Sequence, residues 1–249
     1  MEEEIKEVVE KSTDELKVKK ILLIILIVIL IVAIFLFFLV LKNKKNTEER
    51  KAIINSMVNF KIVNQELDKI SKDKYEESFI KNKNKFVKNI NISENFQSLL
   101  QMGFIKQLVG DYKGAEEIWL YAYDLNLESY VLNGNLAHLY QYFIYDYEKS
   151  EKYYLQALNF KAIGATANHY TYFSELYDLY RYRIKDKDKI IKILERAIKD
   201  LPGEINIYFL SARYYKDIGD VNKARYYFNE ALKINPNSSV AQKGLEELY

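Results

Sequence analysis

The chain has 249 residues, enough for one large or two small domains, with 49% hydrophobic residues, 2 Pro, 8 Gly and no Cys. Without cysteine there are no disulfides, thiolate ligands or cysteine nucleophile, and a formal net charge of +2 gives no general electrostatic case for nucleic acid. Scarce Pro and Gly disfavour a turn-rich β fold and favour long helices, and the 22 Tyr and 13 Phe supply large amphipathic packing groups.

Residues 1–20 form a charged leader. Residues 21–41 then read ILLIILIVILIVAIFLFFLVL, without one charged or hydrogen-bonding side chain. As a helix this run rises about 31 Å at ~1.5 Å per residue, close to the ~30 Å of a hydrocarbon core. In lipid the backbone must satisfy its own hydrogen bonds, so such a run is expected to be a transmembrane helix. Lys19, Lys20, Lys42, Lys44 and Lys45 bracket it. A cleaved signal peptide has a shorter apolar core, roughly 7–15 residues, and a small-residue cleavage site; residues 35–41 contain no small residue. The expectation is a single-pass signal-anchor. Lys6, Lys11, Lys17, Lys19 and Lys20 precede the run, and Lys42, Lys44, Lys45, Arg50 and Lys51 come after it, so the positive-inside count is tied. The short leader alone leads to the expectation that the C-terminal domain is extracytoplasmic.

Residues 42–95 read as a helical stalk or linker. Within residues 48–70, Ile53, Ile54, Met57, Phe60, Ile62, Val63, Leu67 and Ile70 fall mostly at helical spacing. This pattern fits a self-associating stalk leaving the membrane, and equally an amphipathic helix folded onto the domain downstream. Residues 81–88, KNKNKFVK, are the most basic run. They suit either a solvated helix face or contact with phosphate or lipid headgroups.

Downstream, Ala122, Ala157, Ala197 and Ala231 recur at intervals of 35, 40 and 34, each three residues after Trp119, Tyr154, Leu194 or Phe228. Pro202 and Pro236 stop the helices that end there, and Gly110 and Gly219, each followed by Asp, mark turns. In the last interval Tyr208, Ala212, Tyr215, Gly219, Ala224, Phe228, Ala231 and Pro236 form one pattern; in the first, Gly103, Gly110, Ala115, Trp119 and Ala122 do. On these residues the chain resembles the tetratricopeptide repeat family over roughly residues 96–237.

The resemblance implies an α-solenoid of antiparallel helix pairs at about 96–130, 131–170, 171–204 and 205–237. Small residues are expected where paired backbones approach, and large ones between repeats. Counted back from the alanines, His138 and Asp178 fall in small-residue slots of the two middle repeats, and Ile190 in a third. About six extra residues are expected within 162–170, in a loop or an extended helix end. Residues 238–249 read as a cap, with Ser239 and Gln242 beginning a capping box. The fold class is therefore all-α: transmembrane helix, helical stalk, solenoid and C-terminal capping helix.

His138 and His169 are the only histidines, and neither has a repeat-spaced partner ligand. No H-E-x-x-H, G-x-S-x-G, Walker or dinucleotide glycine pattern occurs. The expectation is a non-enzyme with no metal and no cofactor. The family resemblance implies a concave groove for peptides. Its slots are Gln97, Leu100, Phe104 and Gln107; Asn135, Leu139 and Tyr142; Tyr172, Glu175, Leu179 and Arg183; and Asn206, Phe209, Arg213 and Lys216. Each aromatic among them suits either a ligand contact or packing between helices. The Lys/Asn set that clamps a C-terminal carboxylate in some relatives is not reproduced. The expected function is a membrane-tethered protein–protein interaction module at the cell envelope, a scaffold, assembly or quality-control accessory. The expected partners are a protein or peptide, membrane lipid through residues 21–41, and no nucleic acid. The other reading is a self-assembling structural membrane protein, a homo-oligomer joined through anchor and stalk.

Overall fold

The computed structural model describes residues 32, 35–37, 55, 57, 59–88, 92–125, 129–160 and 166–248. The chain divides into two compact units, Met1–Asn59 and Phe60–Tyr249. In the first, residues 32 and 35–37 are helical, and Val32, Phe35, Leu36 and Phe37 expose half or more of their surface. The rest of the apolar run 21–41, and the leader before it, lie outside the described residues. Among the described residues no helix is long and apolar enough to cross a membrane.

The second unit is helical throughout most of its described residues. Helix α1 (Lys69–Lys88) is followed by α2 (Ile92–Leu108), α3 (Tyr112–Asp124), α4 (Tyr130–Leu139), α5 (Tyr147–Asn159) and α6 (Thr166–Asp178). Then come α7 (Lys187–Asp200), α8 (Ile205–Asp217), α9 (Val221–Ile234) and α10 (Ser239–Glu246). Helices α2/α3, α4/α5, α6/α7 and α8/α9 pack as pairs, α1 lies on α2, and α10 lies on α9.

A helix over residues 48–70 does not run to its expected end: 59–64 are non-helical and 65–67 turn. Local bonds decide this. The Val63 and Asn64 N–H groups both donate to Val109 O, at 2.9 and 2.8 Å. Asn64 Oδ1 accepts from Glu66 N, and Asp68 Oδ1 accepts from Ser71 N at 2.9 Å, which starts α1 afresh. Helix α1 buries Phe79, stacked on Phe60 at 4.8 Å, and sets Phe86 edge-on to Tyr121. Helix α1 overlaps the expected stalk helix only at residues 69–70, and most of 48–58 lies outside the described residues.

All four pairs turn in the same way. Gly110, Tyr145, Lys185 and Gly219 have positive φ (84, 65, 61 and 80°), and an Asp follows each. Asp111, Asp146, Asp186 and Asp220 cap the second helices, accepting from Gly114 N, Lys149 N, Lys189 N and Lys223 N. Only the two turns that use glycine, the residue that enters the left-handed region freely, are visible in the sequence. Tyr145 and Lys185 enter that region at a steric cost.

The two middle pairs also differ inside their first helices. Twelve residues separate Gly103 from Ala115 and Ala212 from Ala224, whereas thirteen separate Ala137 from Ser150. The extra residue is taken up as π-helical turns at Tyr140–Ile144 and, in the next pair, at Leu179–Ile184. Counting back across an unseen insertion displaces the register by one. The small slot is therefore Ala137, not His138: Ser150 Oγ donates to Ala137 O at 2.9 Å, marking the close approach of α4 and α5. Asp178 leaves its assigned slot in the same way, and Tyr177 takes it, buried to 2% exposure. Of the six surplus residues between Ala157 and Ala197, one belongs to this π turn. The other five lie between Ala157 and Tyr172, a separation of fifteen against ten for Ala122 to Leu132.

Between pairs, the buried Tyr140 donates its hydroxyl to Glu116 Oε1 at 2.7 Å, and Tyr180 donates to Glu151 Oε1 at 2.9 Å. Lys189 Nζ closes on the same Glu151 carboxylate at 2.7 Å. Burial pushes the Glu116 carboxyl up, but the hydrogen bonds from Lys113 and Tyr140 and the charges of Lys113 and Lys149 together outweigh it and lower its pKa. At the C-terminus, Ser238 caps α10 rather than Ser239, its Oγ accepting from Ala241 N at 3.3 Å. Ala241 and Gly244 cover Phe228, while Val240 is exposed.

The positive φ of Lys185 predicts that Lys185→Gly stabilises the protein by about 1 kcal/mol, read as a higher urea midpoint. Gly219→Ala, at a position with open space around it but φ of 80°, is expected to lower that midpoint by a similar amount.

Candidate functional site

The first helices of neighbouring pairs, α2 and α4, flank an open cleft of about 540 Å³. Phe96, Gln97, Leu100, Gln101 and Phe104 line it from α2; Ser129, Tyr130, Val131 and Asn135 line it from the start of α4. Ser129 caps α4 by accepting from Leu132 N, which fixes the rim. Phe104 is 45% exposed, a large ring held open to solvent, while Leu100 is buried at the cavity floor. The lining thus offers apolar surface between side-chain amides that can both donate and accept. Four of the slots named from sequence, Gln97, Leu100, Phe104 and Asn135, are brought together here. Phe96, Gln101, Tyr130 and Val131 were missed, because a fixed slot pattern picks one helix face and not the rim.

Between α4 and α6 the arrangement is different. Tyr172 crosses to α4, where a Cβ on Gly134 would sit 2.4 Å from its ring. Tyr172 is therefore buried, as are Leu139 and Leu179, both fully covered beside the π turns. The one-residue displacement explains all three: the slot pattern named core positions as groove positions. Phe209 on α8 is likewise buried at 8% exposure, within the cluster of Tyr208, Ala212 and Phe228. These four are corrections, since packing against neighbouring helices takes the side chains.

Glu175 is held by two hydrogen bonds on this face. Its Oε2 accepts from Tyr154 OH at 2.5 Å, and its backbone oxygen accepts from Gln141 Nε2 at 3.4 Å. Burial, reinforced by Asp178, pushes the Glu175 carboxyl up, against the Tyr154 hydrogen bond and nearby His138. Burial raises Asp178 too, with Arg181 opposing. Burial, then the Glu175 and Asp178 charges, pushes the Tyr142 phenol up to about 12. His138 packs on Tyr142 and Phe143, ring centroids 4.7 and 5.7 Å away. His169 is buried at 6% exposure with its pKa lowered by burial, and lies edge-on to Phe173.

The remaining named slots are polar and outward. Gln107 is half-buried and Arg183 exposed; Asn206 is exposed and bonded to Glu204 Oε1 at 2.8 Å. Arg213 is exposed, and Lys216 pairs with Glu247 of the cap at 2.6 Å. Among the described residues no group of three or more His, Asp or Glu could hold a metal ion.

Residues 205–238, the α8/α9 pair with its following turn, match the tetratricopeptide repeat family. That pair is a tetratricopeptide repeat. The crystal structure of BtubC (BKLC) from P. vanneervenii is similar in fold, with TM-score 0.52 and 16% identity over 71% of this chain and 81% of that one. The APC/C hetero-tetramer Cut9-Hcn1 is matched at TM-score 0.44 and 19% identity, over 61% of this chain and 30% of that one. No curated protein sequence matches. Within the tetratricopeptide frame, the match falls on one of the two pairs that lack a π turn, where residue spacing is regular.

Glu175 carries a pH prediction. Its folded pKa lies above its unfolded value, so its favourable contribution is complete below the unfolded pKa, near 4.3, and is lost as pH rises through the folded pKa. Glu175→Gln is therefore expected to be more stable than the parent in urea titrations at neutral pH. The difference should shrink to nothing as pH falls below the unfolded carboxyl range.

Proposed function

We propose that this protein is a membrane-tethered interaction module, a scaffold or assembly accessory, that binds a peptide segment in the cleft between α2 and α4. It acts by binding and not by catalysis. The observation that carries this is the cavity itself, about 540 Å³ with Phe104 open at its side and Leu100 at its floor. Apolar anchors of this kind dominate peptide affinity, and Gln97, Gln101 and Asn135 supply hydrogen bonds to a peptide backbone. A tetratricopeptide repeat supports a protein partner. The tether is residues 21–41, whose length and uninterrupted apolar composition suit a bilayer.

The test uses the purified full chain in detergent, screened against a random peptide library, with affinities of the selected peptides measured by fluorescence anisotropy. Phe104→Ala is expected to weaken binding by about tenfold or more, and Asn135→Ala by less. Lys192→Ala, on the exposed side of α7, should leave it unchanged. Peptides whose affinity ignores Phe104 would refute the cleft.

A further inference from the structure

Helix α1 has one face against α2 and another that nothing covers among the described residues. Phe79 is its buried anchor, and Tyr75, Asn82 and Phe86 on the same side are half-buried. Opposite them, Lys81, Asn84, Lys85 and Lys88 are exposed along the last turns. Ile80 and Val87 flank these lysines, 45% and 58% exposed although both are large and apolar. From Ser78 to Lys88 there is no acidic residue, and Lys81, Lys83, Lys85 and Lys88 have no carboxylate partner among the described residues.

That combination is unusual for a solvated helix. Several other cations of this unit do have carboxylates within reach, as Lys149 with Asp146, Lys216 with Glu247 and Lys233 with Glu230. The end of α1 instead concentrates one sign of charge beside two bare aliphatic side chains. Ammonium groups with adjacent apolar contacts match an anionic lipid surface, where phosphates meet the first methylenes of the acyl chains. The chain supplies the proximity. Residues 42–68 are all that separate α1 from the apolar run 21–41, so a face with weak intrinsic affinity acts at high effective concentration.

We propose that the outward face of α1 docks on anionic phospholipid headgroups through Lys81, Lys85 and Lys88, with Ile80 and Val87 entering the interface. The proposal builds on the membrane tether but does not need it. Docked this way, α1 meets the bilayer and leaves α2 to meet partners.

The absence of cysteine allows a single label. The full chain with Asn84→Cys carrying an environment-sensitive fluorophore is reconstituted in vesicles rich in phosphatidylglycerol or made of phosphatidylcholine alone. With phosphatidylglycerol the probe should shift to the blue and be quenched by lipid-attached quenchers. Phosphatidylcholine, added salt, or joint Lys→Gln changes at 81, 83, 85 and 88 should abolish both effects, because headgroup attraction is screened by salt. A label at Asn229→Cys on α9 should stay unquenched throughout. A chain that resists alkaline extraction while its residue-84 probe remains water-exposed overturns the docking and spares the tether. A chain that is extracted loses the tether, and flotation of the extracted chain with phosphatidylglycerol but not phosphatidylcholine vesicles still supports the docking. Failure to float with either overturns it.

Discussion

The turn that joins the two helices of each pair is the constraint on which the rest depends. One residue must enter the left-handed region and the next must be an aspartate whose carboxylate caps the second helix, and all four pairs obey this. The interval from the capping Asp to the small or aliphatic contact residue is four in every case: Asp111 to Ala115, Asp146 to Ser150, Asp186 to Ile190, Asp220 to Ala224. With the second helix so fixed, an inserted residue has nowhere to go but upstream. It is absorbed as a π turn at the end of the first helix, which keeps the helix continuous while one carbonyl changes partner. A π turn also widens the helix locally, and Gln141 and Glu175 are polar groups brought together beside the two that occur here.

Regular spacing of second helices has a further effect. Glu116 and Glu151 stand at equivalent places on α3 and α5, and each accepts from a tyrosine of the following pair while a lysine approaches the same carboxylate. In a nearest-neighbour stack, such ties between adjacent pairs carry the cooperativity that no single pair has alone. Burial of the aromatic ring provides most of the stabilisation, and the phenol–carboxylate bond sets the angle of one pair on the next. In the first pair, Lys106 stands where Tyr140, Tyr180 and Tyr215 stand later, and it bonds Asp111 of its own turn instead. That pair has α1, not another repeat, as its upstream neighbour.

The helical class, the pairs and the last repeat were legible because their signals are local: small residues, aromatics and Gly-Asp turns at constant intervals. The middle repeats were legible in outline and wrong by one residue in detail. Tyr145 and Lys185 hid their turns, since neither looks like a residue that takes positive φ, and without those turns the π residue could not be counted. The errors then fell where that displacement puts them, on His138, Leu139, Tyr172, Asp178 and Leu179. Phe209 failed for another reason. Its slot is right, but whether a groove ring faces a ligand or its neighbours depends on packing within the cluster of Tyr208, Ala212 and Phe228, which spacing does not encode. The start of α1 was missed because long-range bonds to Val109 O overrode a helical pattern.

The same displacement changes what the concave side can do. With Leu139 and Tyr172 withdrawn into the core, the α4/α6 part of that side is closed by Tyr172 over Gly134 and has His138, Tyr142, Glu175 and Asp178 nearer its surface. The α2/α4 part, where no π turn intervenes on α2, stays open around Phe104. A peptide crossing both would meet an apolar cleft first and then a pair of carboxylates that burial has made reluctant to ionise. Such groups gain most from an incoming cation, because the partner charge relieves a desolvation already imposed by the fold. The concave side thus changes along its length, apolar around Phe104 near α2 and lined by the half-buried Glu175 and Asp178 by α6, and the change stems from one residue inserted in each middle pair.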